Sequence, residues 1–284
     1  MSNIYTQEYA GILAKVFGVR SVFTDALQPL QLTTGISSAE TAFTVKTTNK
    51  VVVNDYDGAK PIGNAGNAGR FGAMKEVIYT DVPVPYKYTL AINEGIDITT
   101  VNEDLQRATA DRLLAQSEAQ SRSINKAIGE YISDVAGVTE TLDTVEALFG
   151  RLNKLYTDSE VMVPITAFIG AELYDAIVSS GLTTTGKQST ANIDAGTVQM
   201  FKGIKLVATP EVYLNGNVGL VVPDGAVLPF LGIEIARTIE AIDFAGQALQ
   251  AIAKGGAYAE SAVHGVIVKI EGGEPSEDVD APEA

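Results

Sequence analysis

The chain reads as an α+β fold, and three features of its sequence carry that reading. Apolar residues keep helical spacing across residues 97–136, much longer than an average helix. Ahead of them, two strand-forming stretches flank a long polar excursion rich in glycine. After residue 140, short helical and strand-like segments alternate, as in a mixed α/β region.

Taken in order, residues 1–40 read as an arm. Ile4, Tyr5, Tyr9, Ile12, Leu13, Val16 and Phe17 fall at helical spacing, which predicts a short amphipathic helix over 5–17 that Gly18 ends. Val19 to Ser38 carries Pro29 and Gly35 and keeps no sustained period. Next come the strand formers Phe43, Val45, Val51, Val52 and Val53, then turn residues Asn54, Asp55, Asp57 and Gly58. GNAGNAGRFG follows at 63–72, and alternation resumes through Val82, Val84, Tyr86, Tyr88, Leu90 and Ile92. Two strands around such an excursion predict a hairpin-like arm with a Gly-rich tip.

Within 97–136, Ile98, Val101, Leu105 and Ala108 lead to Ile124, Ile128, Tyr131 and Val135, and Thr100 begins the segment with a capping-box-like pattern. Roughly 35 helical residues make a rod of about 50 Å. Beyond it, 144–156 predicts a helix, 160–168 a buried strand and 171–179 a further helix. Residues 180–196 form a Ser/Thr/Gly loop, and 198–210 predicts a hairpin turning at Lys202-Gly203. Strands are expected at 218–222, 233–242 and 263–270, whereas 246–260 fits neither period. Residues 272–284 hold five acidic residues and no basic ones, the composition of a solvated, disordered tail.

Composition removes much chemistry. The 284 residues carry 20 Lys+Arg against 35 Asp+Glu, a net charge of −15, with one His and no Cys. Without cysteine there are no disulfides, thiolate metal sites or cysteine nucleophiles. One histidine excludes chemistry that needs two. The acidic balance argues against a protein that grips the phosphate backbone. No secretory signal is visible at the N-terminus, and no run approaches the ~20 apolar residues of a membrane-spanning helix.

The motifs that remain have plain readings beside their chemical ones. Gly181 to Lys187 matches G-x-x-x-x-G-K, but Gln188 stands where a phosphate-binding loop needs Ser or Thr. A helix rather than a strand is expected before it, which favours a surface loop over a nucleotide site. The glycine tract with Arg70 is either an anion nest or, the reading preferred, a flexible tip. Glu103 and Asp104, with Arg107 and Arg112 nearby, read as a solvated helix face, and His264 as a structural residue in an apolar strand. No catalytic, cofactor-binding or metal site is expected.

The order of these pieces is more informative than any one of them. It is carried by FGAMKEVIYTDVPVPYKYTLAINEGIDITTVNEDLQ at 71–106, MFKGIKLVATP at 200–210 and GQALQAIAKGGAYAESAVHGVIVKIE at 246–271. Across residues 1 to about 271 the chain resembles the major capsid proteins of tailed bacteriophages, with the Hong Kong 97-type fold.

That resemblance implies an N-arm at 1–40, an extended E-loop at 41–84, and a P-domain with its spine helix at 85–139. It further implies an A-domain at 140–245, a return to the P-domain at 246–271 and the acidic tail at 272–284. Inter-subunit contacts are then expected at Gly63, Gly66, Gly69, Arg70 and Phe71 of the E-loop tip, and at Tyr9, Leu13, Phe17 and Phe23 of the arm. Phe17, Phe23, Phe43 and Phe71 are expected to find little core within their own chain. The implied function is self-assembly into pentamers and hexamers of an icosahedral phage head, put together in the host cytoplasm. It encloses double-stranded DNA without sequence-specific binding, and works with a separate scaffolding protein and a portal. No cofactor and no membrane are implied. Lys50, Lys60, Asn64 and Asn67 lie near the loop that carries Lys–Asn crosslinks in some members, but no crosslink is expected. Two alternatives stand beside this reading: an encapsulin-like shell protein, and a soluble α/β protein that binds phosphate or nucleotide at 181–187.

Overall fold

A computed structural model describes residues 9, 11–18, 21–33, 40–49, 51–60, 69–99, 105–179, 190–192, 197–240 and 245–272. The chain divides into two units, one of residues 1–37 and 87–284, the other of Ser38–Tyr86.

The larger unit is built on two sheets. Strands β1 (Gln31–Thr33), β11 (Val227–Glu240), β12 (Gly246–Ala259) and β4 (Tyr88–Asp97) form a four-stranded sheet in the order β1-β11-β12-β4. The seven-stranded sheet takes β5 (Val138–Leu142), β13 (Val268–Gly272), β10 (Gly219–Pro223), β6 (Ile165–Ile169), β9 (Ile204–Ala208), β8 (Thr197–Phe201) and β7 (Thr190–Asn192), in that order. A helix at 11–18 (α1) and the long α2 (Leu105–Val135) share one core with the four-stranded sheet. Helices α3 (Val145–Asp158) and α4 (Ala171–Ser179) cover a face of the seven-stranded sheet.

Strands β6 and β10 are buried on both faces, which explains their continuous apolar runs. Phe168, Leu220 and Val222 point into the α2 core, while Ala167, Ile169 and Val221 point toward α3 and α4. The hairpin expected at Lys202-Gly203 joins β8 to β9, with both turn residues at positive φ (48° and 86°).

Several expectations need correction. The rod does not begin at residue 97, because β4 stays paired with β12 as far as Asp97 opposite Gly246. The Asp97 carboxylate then accepts from the Thr99 amide and hydroxyl and turns the chain, leaving Ile98 exposed. Thr100 lies outside the described residues. The stretch at 246–260 is a 14-residue strand, and the strand expected from 233 begins at Val227. Val51, Val52 and Val53 are exposed and lie in no strand. The short β5 was not foreseen, and His264 sits in a 3-10 turn at Ser261–Val266, its Nε2 3.1 Å from the Ala259 carbonyl.

The largest correction concerns the N-terminal residues. Tyr9, Leu13, Phe17 and Phe23 are buried in their own chain's core. Their partners are remote in sequence: the Tyr9 hydroxyl donates to Gln120 Oε1 at 2.9 Å, and the Phe23 ring packs edge-on against Phe168 at 4.9 Å. Desolvation pushes the Tyr9 phenol up to about 12. Backbone bonds from Gln28 to Val227, the parallel β1–β11 pairing and a Lys205–Asp25 ion pair fasten the following segment.

Polar clamps finish the unit. Arg151 on α3 binds Glu140 through Nε and Asp143 through both terminal nitrogens, at 2.7–3.1 Å. That guanidinium holds the Asp143 carboxyl at about 2. On α2, Arg112 grips Glu94 with two bonds and Gln116 adds a third, fixing the helix to β4 and lowering the Glu94 pKa.

Two helical glycines give opposite expectations. A Cβ on Gly129 of α2 would collide with the Tyr213 carbonyl, whereas a Cβ on Gly150 of α3 meets nothing within 4 Å. Gly129→Ala should cost about 1–3 kcal/mol despite alanine's better helix propensity. Gly150→Ala should gain about 0.5–1 kcal/mol. Thermal melts of the two variants check both signs.

Candidate functional site

The smaller unit, Ser38–Tyr86, is the part of the chain whose apolar residues are least used internally. Its base is an antiparallel ribbon of β2 (Thr41–Thr48) and β3 (Tyr79–Pro85), a sheet of their own. The register runs from Thr41 opposite Pro85 to Thr48 opposite Tyr79, with an irregularity between Thr41 and Phe43. Asn49 extends the ladder by its side chain: its amide donates to the Glu76 carbonyl and its oxygen accepts from the Ile78 amide.

Beyond that rung the described residues belong to no helix or strand, yet polar bonds hold them. Asn54 Nδ2 donates to the Phe71 carbonyl, the Asp57 amide to the Arg70 carbonyl, and Arg70 Nε to the Lys60 carbonyl, at 2.9–3.3 Å. The Asp57 carboxylate accepts from the Ala59 amide and pairs with Lys60 at 3.7 Å. A tight turn bonds Gly72 to Gly69, and the Tyr56 and Phe71 rings meet edge-on at 5.1 Å. Backbone and polar groups therefore bind one another here, and the apolar side chains are left outside.

Exposure measures the result. Val51 is 84% exposed, Val53 90%, Phe71 80% and Met74 99%, and Ile78 and Tyr79 are exposed as well. Val51, Val52, Phe71, Met74 and Val77 line a shallow groove within this unit. Lone exposed apolar residues are ordinary, but a contiguous group of this kind marks an interaction surface.

Of the tip residues expected from the sequence, Gly69, Arg70 and Phe71 lie together at this turn, while Gly63 and Gly66 fall outside the described residues. The arm residues Tyr9, Leu13, Phe17 and Phe23 take no part, being buried elsewhere. Val51, Val53 and Met74 were missed. In sequence Val51 to Val53 read only as strand formers; it is the β2–β3 register, ending at Thr48, that leaves them beyond the paired residues. Phe43, expected to lack a core, is half-buried.

The other candidates gain no support from the described residues. Gly181 to Lys187 and the pair Glu103/Asp104 lie outside the described residues, and the element before 181 is the helix α4. Among the described residues, no cluster of His, Asp and Glu could hold a metal ion, and no helix is long and apolar enough to cross a membrane.

No protein-family model matches the chain, and no curated protein matches it. Solved structures do. It is similar to a chain in the capsid structure of the cyanophage P-SCSP1u, with a TM-score of 0.59 and 12% identity over 87% of each chain. It is similar to a chain in the asymmetric unit of the mature capsid of bacteriophage PhiM1, with a TM-score of 0.56 and 8% identity over 89% of this chain and 87% of that one. A virus-like particle from Pyrococcus furiosus matches with a TM-score of 0.51 and 12% identity over 93% of this chain and 98% of that one. The chain has a capsid fold.

If the 51–79 surface serves contacts outside the chain, polar substitutions there leave the free subunit intact. Phe71→Ser and Met74→Ser should each change its stability by less than about 0.5 kcal/mol. Phe23→Ala in the core should cost about 3–5 kcal/mol. Chemical denaturation of the three variants separates the two behaviours.

Proposed function

We propose that this chain is a structural shell subunit, the major capsid protein of a tailed phage. In this reading it assembles into pentamers and hexamers of an icosahedral head around double-stranded DNA, and carries no enzymatic activity. The observation that carries the proposal is the likeness to capsid chains over nearly the full length of both partners. The exposed apolar surface of Ser38–Tyr86 supports it independently, since repeated subunits would remove that surface from water.

The parts take the following roles. Residues 41–84 are the E-loop that reaches a neighbouring subunit, 85–139 the P-domain with α2 as its spine, and 140–245 the A-domain facing the capsomer centre. Residues 246–271 return to the P-domain. The segment 1–40 fastens the subunit's own core through Tyr9, Leu13, Phe17 and Phe23, so inter-subunit contact falls to the E-loop. A net charge of −15 suits a shell that contains DNA without gripping it. A separate scaffolding protein and a portal complete the assembly, in the cytoplasm of the host before the head enters the virion.

A second reading, an encapsulin-like shell, is favoured by the likeness to the virus-like particle. It has the same subunit chemistry and different contents.

Deleting residues 60–72 tests the proposal. Particle yield should fall at least tenfold (about 1.4 kcal/mol per contact suffices), with the subunit's circular dichroism and melting unchanged. Unchanged particle yield would remove the E-loop from the account. Nuclease-protected double-stranded DNA inside the particles supports the phage head; protein cargo supports the second reading.

A further inference from the structure

We infer that the outer edge of β4 pairs antiparallel with the β4 edge of a second copy of this chain, joining two four-stranded sheets into one sheet across a two-fold axis. The inference rests on the shell reading above for its setting, and names a joint in which the Ser38–Tyr86 unit takes no part.

An open strand edge invites pairing with another chain, and proteins protect such edges by a few recognisable devices. Among the described residues the three sheets have six edges, and five of them are protected. Strands β1 and β7 are only three residues long. Pro83 and Pro85 remove donors from β3, and Lys46 stands midway along β2. On β5 the Val138 amide bonds back to Ile267, so Thr139 and Thr141 face outward. There Arg151 Nη2 occupies the Thr141 carbonyl at 2.8 Å.

The exception is β4. Its register with β12 runs unbroken from Tyr88 opposite Gly255 to Asp97 opposite Gly246. The Ile98 amide continues it, donating to the Ala245 carbonyl at 2.8 Å. Bonded rungs therefore fall on Ile96, Glu94, Ile92, Leu90 and Tyr88. The backbone groups of Thr89, Ala91, Asn93 and Gly95 point away from β12, and all four residues are exposed. This ten-residue edge has no proline, no basic residue and no bulge. Glu94 turns to the α2 face, where Arg112 holds it with two bonds.

The residues of β4 suit pairing with themselves. Centred on Asn93, an antiparallel pair sets Ala91 against Gly95 and Thr89 against Asp97, with no like charges opposed. On the α2 face Leu90 meets Ile96, and Ile98, 54% exposed in the single chain, comes opposite Tyr88 of the second copy. The same operation on β2, centred at Lys46, would set lysine against lysine. A strand paired with its own copy is an isologous contact, so it closes both edges at once. Any other segment would leave the second copy's β4 open. An icosahedral shell supplies the two-fold axes that this joint needs.

The test uses the full chain, which has no cysteine of its own. In the proposed pair the two Asn93 Cα atoms lie about 5.5 Å apart, within the span of a disulfide. Oxidised glutathione should therefore convert most of the Asn93→Cys variant in assembled particles to a disulfide-linked dimer. Thr139→Cys on the capped β5 edge should stay unlinked. In wild-type particles the Ala91 and Asn93 amides should exchange at least about a hundredfold more slowly than in dissociated subunits. The inference requires both results. Particles that lack either one overturn it and leave the shell reading standing, since protection without cross-linking means that another segment fills the edge. Both results in a soluble dimer, with no particles even when a scaffolding protein is supplied, would uphold the inference and defeat the shell reading. Neither particles nor cross-links would defeat both.

Discussion

The close approach of α2 to the four-stranded sheet is the constraint from which the rest of the larger unit follows. The face of β12 that meets this core carries Ala251, Ala253, Gly255, Ala257 and Ala259, so the sheet offers little bulk. Ile124, Ile128 and Ile132 fill the space from the helix side. At Gly255 even a methyl group would collide with the Tyr88 hydroxyl and the Phe230 carbonyl, and at Gly129 the helix itself is pared down to admit Tyr213. Small residues on one side and β-branched residues on the other let helix and sheet approach closely. With the helix seated there, the N-terminal segment has an apolar surface to close over, and Tyr9, Leu13 and Phe17 close it.

The smaller unit follows the opposite logic. Its polar groups satisfy one another, through Asn49, Asn54, Asp57 and Arg70, and Val51, Val52, Val53, Val77, Phe71 and Met74 face outward. A segment ordered in this way gains stability when another surface removes those side chains from water. One chain thus combines a core that closes on itself with an arm whose apolar side chains stand in water, the division of labour that the proposed shell role asks for.

How much of this was legible depends on how far apart the interacting residues lie. The rod around Ile124 and Ile128, the turn at Lys202-Gly203 and the strand runs of β6 and β10 follow from local spacing and were readable. The start of α2 was not, because pairing of Ile96 and Asp97 with a strand 150 residues away overrides their helical spacing. The strand at Gly246–Ala259 hid behind alanine and glycine, which belong to neither period. The burial of Tyr9 was hidden by its partner, Gln120, on a stretch of α2 whose Gln116, Ser117, Ser121 and Asn125 look solvated in sequence and are buried. At the arm, glycines 69 and 72 marked the turn, but nothing local shows that Val51 and Val53 stay unpaired.

The most direct measurement is cryo-electron microscopy of the purified chain at concentrations that favour assembly. The account predicts closed shells or rings of five and six subunits in which Val53, Phe71 and Met74 lie against another copy. Particles with those side chains open to solvent, or a chain that stays monomeric throughout even with its scaffolding protein supplied, would contradict it.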